Sequence, residues 1–174
     1  MTPPEIQHAL DSMVILIDTR EQDTRLLRAR INDMDCKTER STLCFGDYSA
    51  KFLLPDGGWL SLDDKVTVER KMSLDELAHC YCQDRGRFRS EFERAKKANG
   101  KMYLLVEDGN WEKIFAGRYR THMSSKAMLA SVCAWLARYN CQILFCQPET
   151  TGKLIRQVLY REGKELMERG DADG

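Results

Sequence analysis

The chain has 174 residues, of which 43% are hydrophobic and 31% charged. This length suits one domain, and this composition excludes a disordered, collagen-like or low-complexity chain. No apolar run approaches the ~18 residues of a membrane span, and the first residues form no export signal, so we expect an intracellular protein that contacts no membrane. The 27 basic and 27 acidic residues cancel, which leaves local charged surfaces free to bind nucleic acid.

The cysteines do not indicate a metal site. There are seven, with no CxxC pair, so we expect reduced and mostly buried thiols. His79, Cys80 and Cys82 lie close together in the sequence, but Cys80 and Cys82 would point to different sides of a helix. Because no second ligand pair follows, this cluster does not predict zinc.

Strands and helices alternate in the first half of the chain. The pattern predicts a helix over 4–12, a buried strand over 13–17, a helix over 22–34 and a strand over 38–43. Residues 48–54 and 59–71 then predict a hairpin, because Pro55-Asp56-Gly57-Gly58 between them has the composition of a turn.

Helices dominate the second half. Apolar spacing predicts one helix through Leu74 and Tyr81, begun by a capping box of Ser73 and Glu76, and another through residues 88–95. Strands over 102–106 and 143–146 flank a helix that starts at Ser124, and a last helix starts near residue 149. This order predicts a single α/β domain with a mixed central sheet flanked by helices. We expect a core of about residues 13–168 and a flexible tail over 170–174.

The stretch from Val66 to Lys71 carries the most informative chemistry. Because side chains alternate along a strand, Glu69 and Lys71 share one face. Asp47 lies 22 residues before Glu69, and the hairpin would bring the two carboxylates to the same end. Such a pair can share Mg²⁺ or Mn²⁺, while Lys71 orients water or holds a phosphate. Although a Glu-x-Lys triplet alone is common in surface ion pairs, this arrangement indicates metal-dependent phosphodiester cleavage.

These residues resemble the nuclease domain of XPF-type structure-specific endonucleases. The resemblance rests on Ile17-Asp18-Thr19-Arg20-Glu21, on Gly46-Asp47-Tyr48, and on Glu69-Arg70-Lys71 followed by Asp75. Gly86-Arg87-Phe88 with Glu91 extends it, so that it runs from about residue 13 to 146. It implies a restriction-endonuclease-like fold of the PD-(D/E)XK type. It also implies Mg²⁺- or Mn²⁺-dependent incision of branched, flapped or forked DNA near junctions of single and double strands.

The same resemblance implies roles for individual residues. Asp47 and Glu69 become metal ligands with Asp18 as a third, and Lys71 becomes the catalytic lysine. Arg70 and Asp75 belong to the signature, and Arg20 and Glu21 line the site. The expected catalytic set is Asp18, Glu21, Asp47, Glu69, Arg70, Lys71 and Asp75.

The resemblance also implies partners. Family members usually carry helix-hairpin-helix modules after the nuclease domain, but only 28 residues follow Cys146 here. We therefore expect no such module, and DNA contact through the nuclease surface, a dimer or a separate targeting protein. The expected homodimer or heterodimer uses the last helix and the helix whose apolar stripe is Met128, Val132, Trp135, Leu136 and Tyr139.

Two basic stretches are candidates for contact with the DNA backbone. Residues 85–101 contain seven basic residues against two acidic ones, and residues 116–127 contain three basic residues and no acidic one. Such stretches neutralise phosphates without reading sequence, although a charge run is often only a solvated helix face. We assign DNA contact to Arg20, Arg85, Arg87, Arg89, Arg118, Arg120 and Lys126.

Two functions fit these observations. The first is an active DNA endonuclease, because all the ligand-type residues are present. The second is a non-catalytic DNA-binding or scaffold subunit, which the expected lack of helix-hairpin-helix modules keeps open. Either function belongs with DNA repair or recombination, in the nucleoid region of the cytoplasm or in a nucleus.

Overall fold

The computed structural model describes residues 1–170 and places helices on both faces of one mixed sheet. The strands are β1 (Val14–Asp18), β2 (Lys37–Ser41), β3 (Tyr48–Leu53), β4 (Trp59–Ser61), β5 (Val66–Lys71), β6 (Lys101–Glu107) and β7 (Cys141–Cys146). The helices are α1 (Pro3–Asp11), α2 (Arg25–Met34), α3 (Leu74–Cys82), α4 (Arg85–Lys97), α5 (Trp111–Phe115), α6 (Ser125–Arg138) and α7 (Thr151–Arg169). The predicted α/β fold is confirmed.

The predicted elements differ from the structure mainly at their ends. The sequence missed α5, which has five residues, and a 3₁₀ turn over Pro148–Thr150 precedes α7. Beyond Gly170, the tail predicted for residues 170–174 lies outside the described residues. Within residues 1–170, no helix is both long and apolar enough to cross a membrane.

The direction of the strands creates one edge that suits a site. The sheet order is β2-β1-β3-β5-β6-β7, with β4 beside β3. β3 runs antiparallel to β1, β4 and β5, whereas the pairs β1–β2, β5–β6 and β6–β7 are parallel. The carboxyl ends of β1, β5 and β6 therefore meet the start of β3 at one edge. Sites in open α/β sheets form at such carboxyl ends.

The predicted hairpin forms, but its second strand is broken. β4 pairs with β3 over three residues, and β5 pairs with β3 again only where Val68 lies opposite Tyr48. Between them, the N–H groups of Lys65 and Val66 both donate to the carbonyl of Leu62, at 2.9 and 2.7 Å, and close a turn. The continuous strand predicted over 59–71 is therefore wrong in its middle, because the fully buried Leu62 turns into the core.

Each face of the sheet has its own hydrophobic core. On one face, the strands pack against α1, α2 and α7 through residues that include Ile15, Val68, Leu105 and Leu159. On the other face, they pack against α3, α4 and α6 through residues that include Phe92, Leu104, Val106 and Trp135. Neighbouring residues of β6 thus belong to different cores, as the alternation of a strand requires.

The apolar stripe of α6 belongs to the second core. Met128, Val132, Trp135 and Tyr139 are buried, and Leu136 is half-buried. The ring of Trp135 lies 5.1–6.0 Å from the rings of Tyr81, Phe88, Phe92 and Tyr139. The stripe is therefore part of the core, and a dimer interface on α6 would use the other side of the helix.

The close approach of α7 to the sheet yields a stability prediction. A methyl group at Gly163 of α7 would overlap the ring of Phe52, whereas one at Gly86 of α4 would meet open space. We expect Gly163→Ala to lower the free energy of unfolding by about 1–3 kcal/mol through overpacking. Gly86→Ala, the matched control, should raise it by about 0.5–1 kcal/mol through better helix propensity. Urea unfolding measures both, and a native-like Gly163→Ala would show that α7 packs less closely.

Candidate active site

A pocket of about 220 Å³ opens at the carboxyl edge of the sheet, beside α3 and α4. It brings together seven residues that the sequence assigned to the site: Arg20, Glu21, Asp47, Glu69, Arg70, Lys71 and Arg87. The remaining lining residues are Glu76, Cys80, Asp84, Phe88 and Glu91.

Asp47 is docked onto the end of β5. Its N–H donates to the carbonyl of Val68 at 2.9 Å, and its Oδ2 accepts the N–H of Arg70 at 2.8 Å. These two bonds fall on either side of Glu69 along β5. The carbonyl of Asp47 also accepts the N–H of Asp18, at 2.9 Å. The turn before β3 thus joins the ends of β1 and β5 and sets the two carboxylates next to each other.

Glycine is required immediately before Asp47. Gly46 has a φ of +72°, which residues with a side chain rarely adopt. A Cβ at this position would lie 2.5 Å from Oγ1 of Thr67 on β5. Both the backbone conformation and the close approach to β5 therefore depend on the missing side chain.

Lys71 lies beside Glu69, as the alternation of β5 predicted. Its Nζ donates to Oε1 of Glu69 at 2.7 Å and lies 5.1 Å from the centre of the Phe88 ring. Both charged side chains are buried. Burial alone would lower the pKa of Lys71, but the adjacent Glu69 raises it, and the pKa ends above its ordinary value. Lys71 therefore stays charged.

Burial hinders the ionisation of both carboxylates. Burial raises the pKa of Asp47 well above its ordinary value, and Glu69 and Glu21 raise it further. Burial also raises the pKa of Glu69, although Lys71 opposes this effect. Because a nearby positive charge favours the ionised form of both acids, the pocket is suited to receive a cation.

Asp18 does not join this carboxylate pair. It is buried and does not line the pocket. Its Oδ1 accepts the backbone N–H of Arg20 at 2.8 Å and the Nε–H of the same residue at 2.6 Å. Its Oδ2 accepts from the N–H of Leu43 and from Nη2 of Arg20. Burial would raise the pKa of Asp18, but the Arg20 hydrogen bonds lower it below its ordinary value. The expected third ligand instead orients Arg20.

Asp75 also lies outside the pocket. Its Oδ1 accepts the N–H of Arg120 at 2.6 Å and so ties the segment before α6 to the first turn of α3. The predicted capping box forms in part: Ser73 Oγ accepts the N–H of Glu76, whose carboxylate accepts the N–H of Met72 rather than that of Ser73.

Glu91 is a site residue that sequence reasoning did not assign. It is buried on α4, and its Oε1 accepts from Nη1 of Arg20 at 2.8 Å and lies 2.5 Å from Nη2 of Arg94. Its Oε2 accepts the N–H of Gly46 at 3.3 Å, so Glu91 fastens α4 to the turn that carries Asp47. The signal was its helical spacing from Phe88, which places an acid on the buried side of α4.

The predicted DNA-contacting residues differ in exposure and in their distance from the pocket, which only Arg20 and Arg87 of this set line. Arg85, Arg87 and Arg89 are exposed on α4, and Arg87 lines the pocket itself. Arg118 and Arg120 are exposed before α6, and Lys126 is exposed within it. Arg20 differs, because its guanidinium already forms ion pairs with Asp18 and Glu91 of the protein itself. Arg89 is also paired, at 3.4 Å from Glu93.

The carboxylate pair fits a hard divalent cation. Asp47 Oδ1 and Glu69 Oε2 accept no hydrogen bond from the described part of the chain, so each acid has an oxygen free to bind. No group of three or more His, Cys, Asp or Glu among residues 1–170 is placed to hold a metal ion. Mg²⁺ commonly uses one or two carboxylates together with waters and substrate phosphates, so the pair suits Mg²⁺ or Mn²⁺.

Comparison with known proteins identifies relatives. The family model of the ERCC4 domain matches residues 17–158. XPF from Aeropyrum pernix has a TM-score of 0.60 and 19% identity, over 86% of this chain and 61% of that chain. XPF from Aeropyrum pernix in complex with DNA has a TM-score of 0.59 and 20% identity, over 87% and 65%. This chain thus spans less than two thirds of either structure. No curated protein matches the chain.

The raised pKa of Asp47 predicts how stability depends on pH without metal. Ionising an acid whose pKa rises on folding destabilises the folded state, so stability falls as pH rises above the ordinary 3.8. Asp47→Asn removes this charge and keeps an acceptor for the Arg70 N–H. In chelator at neutral pH, we expect the variant to unfold at a higher temperature than the native protein.

The difference in unfolding temperature between Asp47→Asn and the native protein should shrink as the pH falls toward 3.8, because native Asp47 also becomes neutral. Asp56→Asn, in the exposed turn before β4, is the control and should show no such trend. An Asp47→Asn variant that is less stable than the native protein at neutral pH would contradict the crowding of the two acids.

Proposed function

Because the chain belongs to the ERCC4 domain family, we propose that it is a metal-dependent DNA endonuclease. Its substrates are branched, flapped or forked DNA, cut near a junction between single and double strands. The observation that supports this proposal is the contact between Lys71 and Glu69 at 2.7 Å, next to Asp47, in a pocket at the sheet edge. Two carboxylates that can hold a metal ion, with an amine beside them, suit metal-assisted phosphodiester hydrolysis.

Each group in the pocket has a distinct chemical task. Mg²⁺ or Mn²⁺ held by Asp47 and Glu69 would polarise a phosphoryl oxygen and lower the pKa of bound water. Lys71 stays protonated and donates to an oxygen of the phosphate, where negative charge grows during cleavage. The Phe88 ring beneath its Nζ excludes water from one side of the ammonium group. Arg70 adds a second cation at the pocket wall.

The exposed arginines support binding of the DNA backbone near the pocket. We propose that Arg85, Arg87, Arg118 and Arg120 contact phosphates, which suits an enzyme that recognises shape rather than sequence. One of the similar XPF structures is in complex with DNA, which agrees with this proposal. We further propose a homodimer, a heterodimer or a separate DNA-targeting protein as partner. We propose that this nuclease acts on DNA in the nucleoid or in a nucleus, during repair or recombination.

One observation favours a second function. Lys71 with Glu69 and Arg20 with Glu91 form ion pairs within the pocket lining. A subunit that binds DNA without cutting it would need no more than these stabilising pairs. Cleavage assays separate the two functions.

Replacing Lys71 tests the nuclease directly. With Mg²⁺ and a labelled fork or flap, we expect Lys71→Met to lower the cleavage rate by about 10²–10³-fold, because one donor to the transition state is lost. Lys101→Met, which breaks an ion pair with Glu162 outside the pocket, should cut like the native protein. If the native protein binds but does not cut any junction, the scaffold function is correct.

Salt dependence tests the DNA-contacting surface. Each lost phosphate contact lowers the slope of log affinity against log salt by about 0.9. We expect Arg87→Gln to reduce the slope by about this amount, in fluorescence anisotropy with duplex DNA and no cleavage-supporting metal. Arg169→Gln, at the last residue of α7, is the control and should leave the slope unchanged. An unchanged slope for Arg87→Gln would remove that residue from the interface.

A further inference from the structure

A network of charged and polar side chains lies behind the pocket, on the face of the sheet covered by α2 and α7. Arg70 Nη1 donates to Oε2 of Glu107 at 3.3 Å, and Oε1 of Glu107 lies 3.6 Å from Nη2 of Arg30. Nη1 of Arg30 donates to the Tyr48 hydroxyl at 2.8 Å, and this hydroxyl donates to Glu21 at 3.0 Å. The two residues at the ends of this network, Arg70 and Glu21, line the pocket.

Arg70 points away from its two neighbours in the signature. Glu69 and Lys71 face α3 and α4, whereas Arg70 faces the side of Val66 and Val68 and reaches Glu107. Its Nε is buried and has no hydrogen-bond partner among residues 1–170. The Arg70 guanidinium is thus held by Glu107, while the residue lines the pocket.

Glu107 is held from three sides. It is buried at the end of β6, and besides the two arginines its Oε1 accepts the hydroxyl of Thr151 at 2.7 Å. Thr151 is the first residue of α7, and the next residue, Gly152, packs against the backbone of Arg30 so closely that a Cβ would overlap it. The carboxylate of Glu107 thus sits in a rigid frame made by β5, β6, α2 and α7.

Stability alone does not explain this network. Taking several charges out of water costs free energy, and well-packed apolar side chains would often stabilise such a region as well or better. The network instead ends on two residues that line the pocket, Arg70 and Glu21. A carboxylate that fixes an arginine beside a phosphate site reduces the reorganisation needed when the transition state forms.

We propose that Glu107 is a positioning residue that holds the Arg70 guanidinium at the pocket wall, where it serves the phosphate being cleaved. Arg30 and Tyr48 hold Glu21 at the pocket from the same network. This inference rests on the proposed nuclease function. It gives Glu107, which is buried at the end of β6 and does not line the pocket, an indirect role in cleavage.

The experiment is a double-mutant cycle of Glu107→Gln with Arg70→Met. Glu107→Gln keeps the shape and an acceptor for Thr151 but removes the charge that fixes Arg70. We expect its kcat to fall by about 10–100-fold, since small misplacements of a catalytic group are costly, while affinity for fork DNA in Ca²⁺ stays native-like. In the Arg70→Met background, Glu107→Gln should cause no further loss, because it acts only through Arg70.

Two further variants keep the test decisive. Glu162→Gln removes an acid that bridges α7 and β6 away from the pocket, and it should cut like the native protein. If urea titration shows that Glu107→Gln has no folded state, Thr151→Val takes its place. This variant removes the hydrogen bond of Thr151 to Glu107 and leaves no charge unpaired. It should then lower kcat, again only when Arg70 is present.

The outcomes separate this inference from the function on which it rests. If the native protein cuts DNA and the Glu107 variant has native kcat, the positioning role alone is overturned. The same holds if Glu107→Gln lowers kcat equally with and without Arg70. If the native protein cuts no junction substrate, the nuclease proposal falls and the positioning role falls with it.

Discussion

The docking of one turn onto the end of β5 determines the whole site. Two hydrogen bonds, from Asp47 N–H to Val68 and from Arg70 N–H to Asp47, set the turn against β5 on either side of Glu69. They place two carboxylates together where burial makes both charges costly. Gly46 permits the approach, and Glu91 on α4 holds the turn from the other side. The fold thus accepts an unfavourable pair of acids that a bound cation would relieve.

The reversed strand β3 explains why residues from such different places meet. Asp18, Lys71 and Glu107 each end a strand, and the three strands run in the same direction. Asp47 instead comes just before a strand, so in a fully parallel sheet it would lie at the opposite edge. Because β3 is inserted antiparallel between β1 and β5, its start reaches the carboxyl edge. The topology therefore adds a carboxylate from a loop to the ends of parallel strands.

Local patterns were sufficient where neighbours in the sequence decide the outcome. The alternation of β5 predicted the shared face of Glu69 and Lys71, and helical spacing predicted α3, α4 and α6. The break after β4 was not predictable, because it depends on Leu62 filling a core built by distant residues. Glu91 and Glu107 were missed as site residues for the same reason, since their partners Gly46 and Arg70 lie 45 and 37 residues away.

Resemblance to a family helped with the set of residues but not with every role. Asp18 has the residue type of a ligand, yet four hydrogen bonds from Arg20 and Leu43 occupy its oxygens. Asp75 instead lies outside the pocket, where one of its oxygens accepts the N–H of Arg120. A carboxylate is available to a metal only where it faces the site and internal donors do not fill the acceptor sites of both oxygens. This condition depends on three-dimensional contacts, and a motif read along the chain does not contain it.

Two successive residues at the end of β5 serve the pocket from opposite faces of the sheet. Lys71 belongs to the carboxylate pair on one face, whereas Arg70 is neutralised by Glu107 on the other. With Arg70 balanced internally, the charges that remain at the centre are those of Asp47 and Glu69 against Lys71. In the proposed nuclease, a divalent cation held by the two acids would offset their excess negative charge. The separation of Arg70 from its neighbours would then leave Asp47 and Glu69 to the cation and keep Arg70 at the pocket wall for the DNA backbone.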